Sequence, residues 1–258
     1  MSRAVLSFLA IALSLSFNEA MTDDPERVPA PRTARERVRA ELLREIKVVA
    51  ARHLAEHGAA ALSVRAIARE LGMVSSAVYR YFPSRDDLLT VLIVDAYNEV
   101  GAAAEAADRS ATHEGPAGRW LSACRACRGW ALANPHQYAL VYGSPVPGYR
   151  APQDTVVPAS RIGVVLLGQL EDARRHRRRA APRAAVTASV LHPDMFAMLR
   201  VAAPHVDEAT CVVALWAWVH LIGAVTAELF GHLHNVVDDL DLFFDEQMAG
   251  VAHGLGLF

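Results

Sequence analysis

Residues 63–82 have the sequence SVRAIARELGMVSSAVYRYF, which predicts two short helices joined by a tight turn. Ile67, Ala68 and Leu71 give the first helix an apolar face. Gly72 follows at once, and glycine can adopt the left-handed backbone conformation that reverses the chain after a helix. Two helices joined in this way have the geometry that lays the second helix into the major groove of DNA.

The second helix is predicted to bury one stripe and to expose the rest of its surface. Val74, Val78 and Phe82 recur every four residues, and we expect them to form the buried stripe. The remaining positions are able to touch bases or phosphates: Ser75, Ser76, Ala77, Tyr79, Arg80 and Tyr81. An ordinary helical hairpin with a polar outer face would share the turn. The small Ala68, which lets the helices cross closely, together with Gly72 and this outer face favours a helix-turn-helix.

Basic residues concentrate around this motif, although the net charge of the 258-residue chain is -2. Residues 33–85 contain ten lysines and arginines against five glutamates, whereas no lysine or arginine follows Arg200. Acidic residues continue to Glu246. A basic head on an acidic, apolar body is the charge distribution expected when only one end of a protein meets DNA phosphates.

Composition and periodicity favour an all-α protein. Hydrophobic residues make up 53% of the chain, enough for a substantial core, and alternating β-branched runs are scarce. Ser63 and Ser84 are placed to cap the helices that follow them. Residues 143–152 are rich in proline and glycine and are predicted to form a loop. Besides the helix-turn-helix, the predicted helices are 33–57, 84–107, 116–133, 136–142, 157–179, 183–199, 207–233 and 238–254.

Residues 1–32 are predicted to be an N-terminal extension. Arg3 precedes an apolar run over 4–17 that is similar to a secretory signal, but no good cleavage site follows it. The run is also too short to span a membrane comfortably. We favour Met21 as the working start of the protein. Export or membrane tethering, and a disordered extension, are the alternatives.

The motif resembles the DNA-binding domain of TetR-like (tetracycline-repressor-like) transcription regulators. The resemblance runs from the helix at 44–58 through residues 62–68, 71–72 and 77–82 to 85–89. It implies that Tyr79 and Tyr81 contact DNA and that Arg85 grips a phosphate, a role that lysine usually fills in this family. The predicted DNA-binding set is Ser63, Arg65, Ser75, Ser76, Ala77, Tyr79, Arg80, Tyr81 and Arg85.

The rest of the chain resembles the C-terminal ligand-binding and dimerisation domain of one TetR-like subgroup. Residues 138–149, 218–223 and 228–232 carry this resemblance. Some members have a Trp-His-Gly signature, whereas here Leu221 follows His220 and glycine comes at position 223. The resemblance implies an unknown small-molecule effector, and the residues predicted to line its pocket are Trp120, Trp130, Tyr138, Tyr142, Trp218 and His220. The predicted domains are therefore an extension at 1–32, a helix-turn-helix domain at 33–83 and a helical regulatory and dimerisation domain at 84–258.

The predicted helix at 207–233 is apolar on more sides than one buried stripe requires. The apolar residues that crowd both sides of it are Val212, Val213, Leu215, Trp216, Trp218, Val219, Leu221 and Ile222. A helix that is apolar all round must be buried all round, which indicates a homodimer through the C-terminal helices. His220 and Glu228 interrupt the apolar run, and this disfavours a membrane span. A dimer would also bring two recognition helices about 34 Å apart, the spacing of the two halves of a palindromic operator.

Other kinds of chemistry have weak support in the sequence. Cys124 and Cys127 have the C-x-x-C spacing of redox and zinc sites, but Cys211 is the only further cysteine. No catalytic or phosphate-binding motif appears, so we predict no enzyme activity, no metal and no cofactor. The predicted function is a cytoplasmic repressor that binds double-stranded operator DNA and is released by a small-molecule effector. The alternative is a helical small-molecule-binding protein, or a thiol-redox or metal protein, without operator binding.

Overall fold

The computed structural model describes residues 33–176 and 190–258, and within them it contains helices, turns and loops but no strand. The predicted all-α class is confirmed. The α-helices of the described residues are α1 (Ala34–His57), α2 (Val64–Glu70), α3 (Ser75–Tyr79), α4 (Arg85–Ser110), α5 (Gly115–Ala133), α6 (Pro135–Tyr142), α7 (Val156–His176), α8 (Pro193–Ala202), α9 (Glu208–Leu229) and α10 (Leu240–Leu255). The predicted extension at 1–32, with Met21, lies outside the described residues.

Side-chain caps fix the beginnings of the N-terminal helices. The Thr33 hydroxyl accepts a hydrogen bond from the Glu36 backbone N–H at 3.2 Å, and the Glu36 carboxylate accepts one from the Thr33 N–H at 2.9 Å. This reciprocal pair is a capping box at the start of α1. Ser63 caps α2, and the Ser84 hydroxyl accepts from the Asp87 N–H at 3.1 Å at the start of α4. The caps predicted at Ser63 and Ser84 are confirmed.

The described residues divide into two compact units. The N-terminal unit consists of residues 33–98 and 134–158, and the C-terminal unit of residues 99–133, 159–176 and 190–258. Helix α4 is continuous and contributes its first half to one unit and its second half to the other. The domain boundary predicted between residues 83 and 84 stays a prediction.

The core of the N-terminal unit is built on α1, α2, α3 and the start of α4. Ile46, Ile67, Val78 and Leu88 are fully buried in it. Tyrosine hydroxyl groups form hydrogen bonds that join α6 and the loop after it to α4. The Tyr97 hydroxyl donates to the Val141 carbonyl at 3.2 Å, and the hydroxyls of Tyr149 and Thr90 lie 2.9 Å apart.

The core of the C-terminal unit brings α5 against α9 and α10. The Trp120 indole N–H donates to the Met248 carbonyl at 2.8 Å, and both side chains are buried. Leu166 and Leu167 of α7 and Leu221 of α9 are also buried. The predicted helices at 84–107, 116–133, 136–142 and 238–254 are present, with ends that move by up to three residues.

Two predicted helices have different limits in the structure. Helix α8 begins at Pro193, and residues 190–192 are not helical, so the prediction of a helix over 183–199 is wrong there. Proline favours the first position of a helix and disfavours helical backbone in the residue before it. Helix α9 ends at Leu229 and not at 233, because Gly231 adopts a φ of 78° and closes the helix. Residues 177–179 of the helix predicted at 157–179, and residues 183–189 of the helix predicted at 183–199, lie outside the described residues.

Candidate nucleic-acid interface

The turn between α2 and α3 is a glycine-terminated helix end. Gly72 has a φ of 65°, and its N–H donates to the Arg69 carbonyl at 3.1 Å. The Met73 N–H donates to the Ala68 carbonyl at 2.8 Å. These two bonds form a Schellman motif, in which the residue at the turn must be left-handed. The helix-turn-helix predicted from residues 63–82 is therefore formed, with Gly72 at the reversal.

The inner face of α3 is shorter than the sequence predicted. Val78 and Phe82 are buried, and Ala68 of α2 is fully buried among the same core residues. Val74 is 71% exposed, so its assignment to the buried stripe is wrong. The reason is that Val74 precedes the helix as its N-cap, with extended backbone angles, and the helical four-residue spacing does not reach it.

The predicted DNA-binding residues line the outside of this motif. Arg65, Ser76, Tyr79 and Arg80 are exposed. A second group is half-buried: Ser63, Ser75, Ala77, Tyr81 and Arg85. The Ser63 hydroxyl accepts from the Ala66 N–H at 3.4 Å, and because a hydroxyl can also donate, this cap leaves its proton available for a phosphate.

The positive charge of this surface is not neutralised within the described residues. Arg65, Arg69 and Arg80 form no ion pair there, whereas Glu70 is occupied by Arg52 and by His53, whose Nε2 lies 2.8 Å from the carboxylate. Guanidinium groups that face solvent without carboxylate partners provide the electrostatic attraction that a DNA backbone requires. The outer face of the helix-turn-helix is therefore suited to an anionic partner.

Arg85 is held differently from the other predicted contacts. One guanidinium nitrogen donates to the Ala59 carbonyl at 2.8 Å, and the neighbouring Asp86 carboxylate lies 3.4 Å from another. The Nε atom is buried without a hydrogen-bond partner. Arg85 thus ties the first residue of α4 to the turn that leads into α2, a contact the sequence pattern did not indicate.

The six residues predicted to bind an effector fall in both units. In the N-terminal unit, the rings of Tyr138 and Tyr142 lie 5.0 Å apart, and Tyr138 is buried. In the C-terminal unit, Trp120 is buried on the Met248 carbonyl, His220 is exposed, and Trp130 and Trp218 are half-buried. Their role in ligand binding stays a prediction.

A polar network that sequence analysis missed lies inside the C-terminal unit. The Arg119 guanidinium donates to both oxygens of Asp108, at 2.9 and 2.8 Å, and to Asp172 at 2.6 Å. The amide of Gln169, which is fully buried, donates to the same Asp108 carboxylate at 2.7 Å. The hydrogen bond to Asp108 raises the pKa of Arg119, so the pair stays ionised. No local motif marks these residues, because they come from α4, α5 and α7.

The cysteines are buried thiols. Cys124, Cys127 and Cys211 are free, and burial raises the pKa of the Cys127 thiol to about 12. Metal binding and thiol exchange require the thiolate, which burial suppresses. Among the described residues, no three histidine, cysteine or acidic side chains are grouped as a metal site.

Helix α9 is the one described helix that is long and apolar enough to cross a membrane. A core helix of a soluble protein satisfies the same test. In α9, Glu228 is bound by the Arg128 guanidinium through two hydrogen bonds of 2.7 Å, so its carboxylate is held within the C-terminal unit.

Comparison with known proteins gives matches in both parts of the chain. The family model described as "Bacterial regulatory proteins, tetR family" matches residues 46–92, and "Tetracyclin repressor-like, C-terminal domain" matches residues 120–251. HTH-type transcriptional regulator Mb1846 of Mycobacterium bovis is 38% identical over 232 residues, which cover 86% of this chain and 93% of the relative. Rv1816 of Mycobacterium tuberculosis, also an HTH-type transcriptional regulator, has the same identity and coverage.

Solved structures share the fold. The regulatory protein SCO4313 is 33% identical with a TM-score of 0.68, and the match covers 86% of this chain and 100% of that one. The TetR family transcriptional regulator PfmR from Thermus thermophilus is 18% identical with a TM-score of 0.51, over 81% of this chain and 98% of that one, which shows the fold alone. The chain, with its helix-turn-helix and its matched C-terminal domain, belongs to the TetR family of transcriptional regulators.

Proposed function

We propose that this regulator is a cytoplasmic homodimeric repressor that leaves its operator when a small molecule binds, and that it acts as a regulator and not as an enzyme. The observation that carries the DNA-binding part is the outer face of the helix-turn-helix. Tyr79 and Arg80 face solvent there, while Val78, between the half-buried Ala77 and the exposed Tyr79, is fully buried. This arrangement fixes the backbone of α3 and leaves its polar side chains available to bases and phosphates.

An exposed apolar stripe supports the dimer. Leu215, Trp216 and Val219 of α9 are 44%, 56% and 55% exposed in the single chain, and their spacing places them on adjoining positions of one helix face. Large apolar side chains grouped on a surface mark an association site. A second copy of the same chain, related by two-fold symmetry, would cover the stripe and supply a second recognition helix.

The effector would act by favouring one conformation of the dimer over another. Helix α4 belongs to both units, so a change in the C-terminal unit has a continuous helix through which to reach the helix-turn-helix. The shift can be no larger than the difference in the effector's affinity for the two conformations. An effector that weakens operator binding 100-fold must therefore prefer the released conformation by at least about 100-fold, or about 2.7 kcal/mol.

Selection of bound DNA from a random duplex pool tests the proposal. The full-length protein should enrich a palindrome whose half-sites are about one helical turn of DNA apart, or a multiple of it. Repeating the selection with pools of candidate metabolites should identify a compound that lowers recovery of that palindrome. Failure to enrich any sequence would contradict operator binding, and enrichment of a single half-site would contradict the dimer.

The dimer has a separate test with a matched control. Trp216→Glu puts a charge into the exposed stripe and should convert the protein to a monomer in sedimentation experiments. Val48→Glu changes another exposed apolar residue, on α1, where Val48 is 64% exposed. Val48→Glu should therefore sediment with the mass of the wild-type dimer. A Trp216→Glu protein that sediments like the wild type would show that α9 does not hold the dimer together.

A further inference from the structure

The first two turns of α1 extend beyond the core of the N-terminal unit. Residues 33–41 are all exposed, Leu42 and Leu43 are half-buried, and Ile46 is the first buried residue of the helix. With a rise of 1.5 Å per residue, residues 34–41 project by about 12 Å. This part of α1 gains little from packing, so its sequence is free to serve another purpose.

Two arginines continue the inner face of α1 along this projection. Arg39 lies seven residues before Ile46, and Arg35 lies four residues before Arg39. Residues at these spacings share one face of a helix. The side of α1 that is apolar over the core therefore becomes basic where the helix passes the core. Arg37, two residues from each, lies on the opposite side.

Arg39 brings this basic face beside the helix-turn-helix. Its guanidinium carbon lies 5.3 Å from the centre of the Tyr81 ring, within the range of a cation–π contact. Tyr81 lies two residues beyond the end of α3 and is one of the residues predicted to contact DNA. A surface of guanidinium and phenol groups thus continues from the end of the recognition helix onto α1.

The charges on this face have no carboxylate partner among the described residues. The neighbouring acids are engaged elsewhere: Glu36 accepts from the Thr33 N–H in the capping box, and Glu41 pairs with Arg44. Like charges four residues apart repel one another and weaken an isolated helix. An anion placed against Arg35 and Arg39 would remove this repulsion.

We propose that Arg35 and Arg39 contact backbone phosphates of the operator next to the base pairs that α3 reads, so that the binding site is longer than the recognition helix alone requires. The inference rests on the proposed operator binding and adds a second contact surface to it. Phosphate contacts of this kind fix the position of a protein on the duplex without reading its sequence.

The salt dependence of binding tests this inference on the full-length protein and the duplex selected from the random pool. Each phosphate contact contributes about 0.9 to the slope of log K against log salt concentration. A homodimer presents both arginines twice, so Arg35→Ala/Arg39→Ala should flatten the slope by about 3.6. Between 1 M and 0.1 M salt this difference in slope corresponds to about 4,000-fold weaker binding at 0.1 M, if the four contacts contribute nothing at 1 M. A random-sequence duplex should show a similar flattening, because phosphate contacts do not depend on sequence.

Arg37→Ala is the matched control, since it removes an exposed arginine of the same two turns from the opposite side. It should leave the slope within experimental error of the wild type, and the Tm values of all the variants should agree with that of the wild type within experimental error. Shortening the selected duplex at both ends should lower the affinity of the wild type to that of the double variant. The affinity of the double variant itself should not change.

Two outcomes separate this inference from the proposed function. A wild-type protein that binds no selected duplex overturns both. If the wild type binds the selected duplex but the double variant has the same salt slope and affinity as Arg37→Ala, only the phosphate contact by α1 is overturned. If the wild type and the double variant lose the same amount of affinity on the shortened duplex, the arginines do not reach the flanking phosphates.

Discussion

Gly72→Ala tests the turn on which the helix-turn-helix depends. Gly72 has a φ of 65°, and a Cβ atom added there would meet nothing within 4 Å. The substitution therefore causes no steric clash with a neighbour, and its cost comes from the backbone alone. A residue with a Cβ loses about 1–2 kcal/mol in the left-handed conformation.

The net effect is smaller, because alanine also restricts the unfolded chain by about 0.4–1 kcal/mol. We expect Gly72→Ala to lower the free energy of unfolding by about 1 kcal/mol. Gly129 provides the control, since a Cβ there also meets nothing within 4 Å, but the residue lies inside α5. Gly129→Ala should raise the free energy of unfolding by about 0.5–1 kcal/mol.

Urea unfolding followed by circular dichroism measures both changes, and 1 kcal/mol corresponds to a shift of about 2–4 °C in Tm for a chain of this size. Gly72→Asn should lower the free energy of unfolding less than Gly72→Ala does, because asparagine tolerates the left-handed conformation better than other residues with a side chain. A Gly72→Ala protein as stable as the wild type, or more stable, would refute the left-handed turn.

Three further predictions concern single side chains. Arg85→Ala removes the donor to the Ala59 carbonyl and the predicted phosphate contact, so it should weaken binding to the selected duplex and lower the salt slope by about 1.8 for the two copies in a dimer; an unchanged slope would show that Arg85 does not reach a phosphate. Arg119→Ala leaves the Asp108 carboxylate without its guanidinium, and it should cost about 3–5 kcal/mol in urea unfolding, so that a loss below about 1 kcal/mol would contradict the inferred role of this pair. Because burial raises the pKa of Cys127 to about 12, its thiol should not react with Ellman's reagent at pH 8 until the protein is unfolded, and rapid labelling of the native protein would count against burial.

The sequence predicted those features that depend on local chemistry. Ser63 and Gly72 mark the beginning and the reversal of the motif because capping and left-handed backbone are properties of single residues. The same reasoning located α4 from Ser84 onward. The prediction of the buried stripe failed at Val74. Val74 fits the four-residue spacing in the sequence, but its backbone is extended and not helical, so the spacing does not place it on the buried face.

Contacts between distant segments were not visible in the sequence. The hydrogen bond of Arg85 to the Ala59 carbonyl joins residues 26 positions apart, and the bonds of Arg119 to Asp108 and Asp172 join three helices. No periodicity or motif encodes such pairs, since they depend on how the helices pack. The charge count over residues 33–85 did include Arg35 and Arg39, but it could not show that they continue the inner face of α1 beside Tyr81.

The most direct measurement of the central claim compares the affinity of Arg80→Ala and Arg200→Ala for the selected duplex by fluorescence anisotropy. Both arginines are exposed, but Arg80 ends the recognition helix and Arg200 lies on α8 of the C-terminal unit. Each arginine contact to a base or phosphate is worth about 5- to 150-fold in affinity. Because a dimer loses two such contacts, Arg80→Ala should weaken binding by at least about 25-fold, whereas Arg200→Ala should bind like the wild type. Equal affinities for the two variants would contradict the assignment of this surface to DNA.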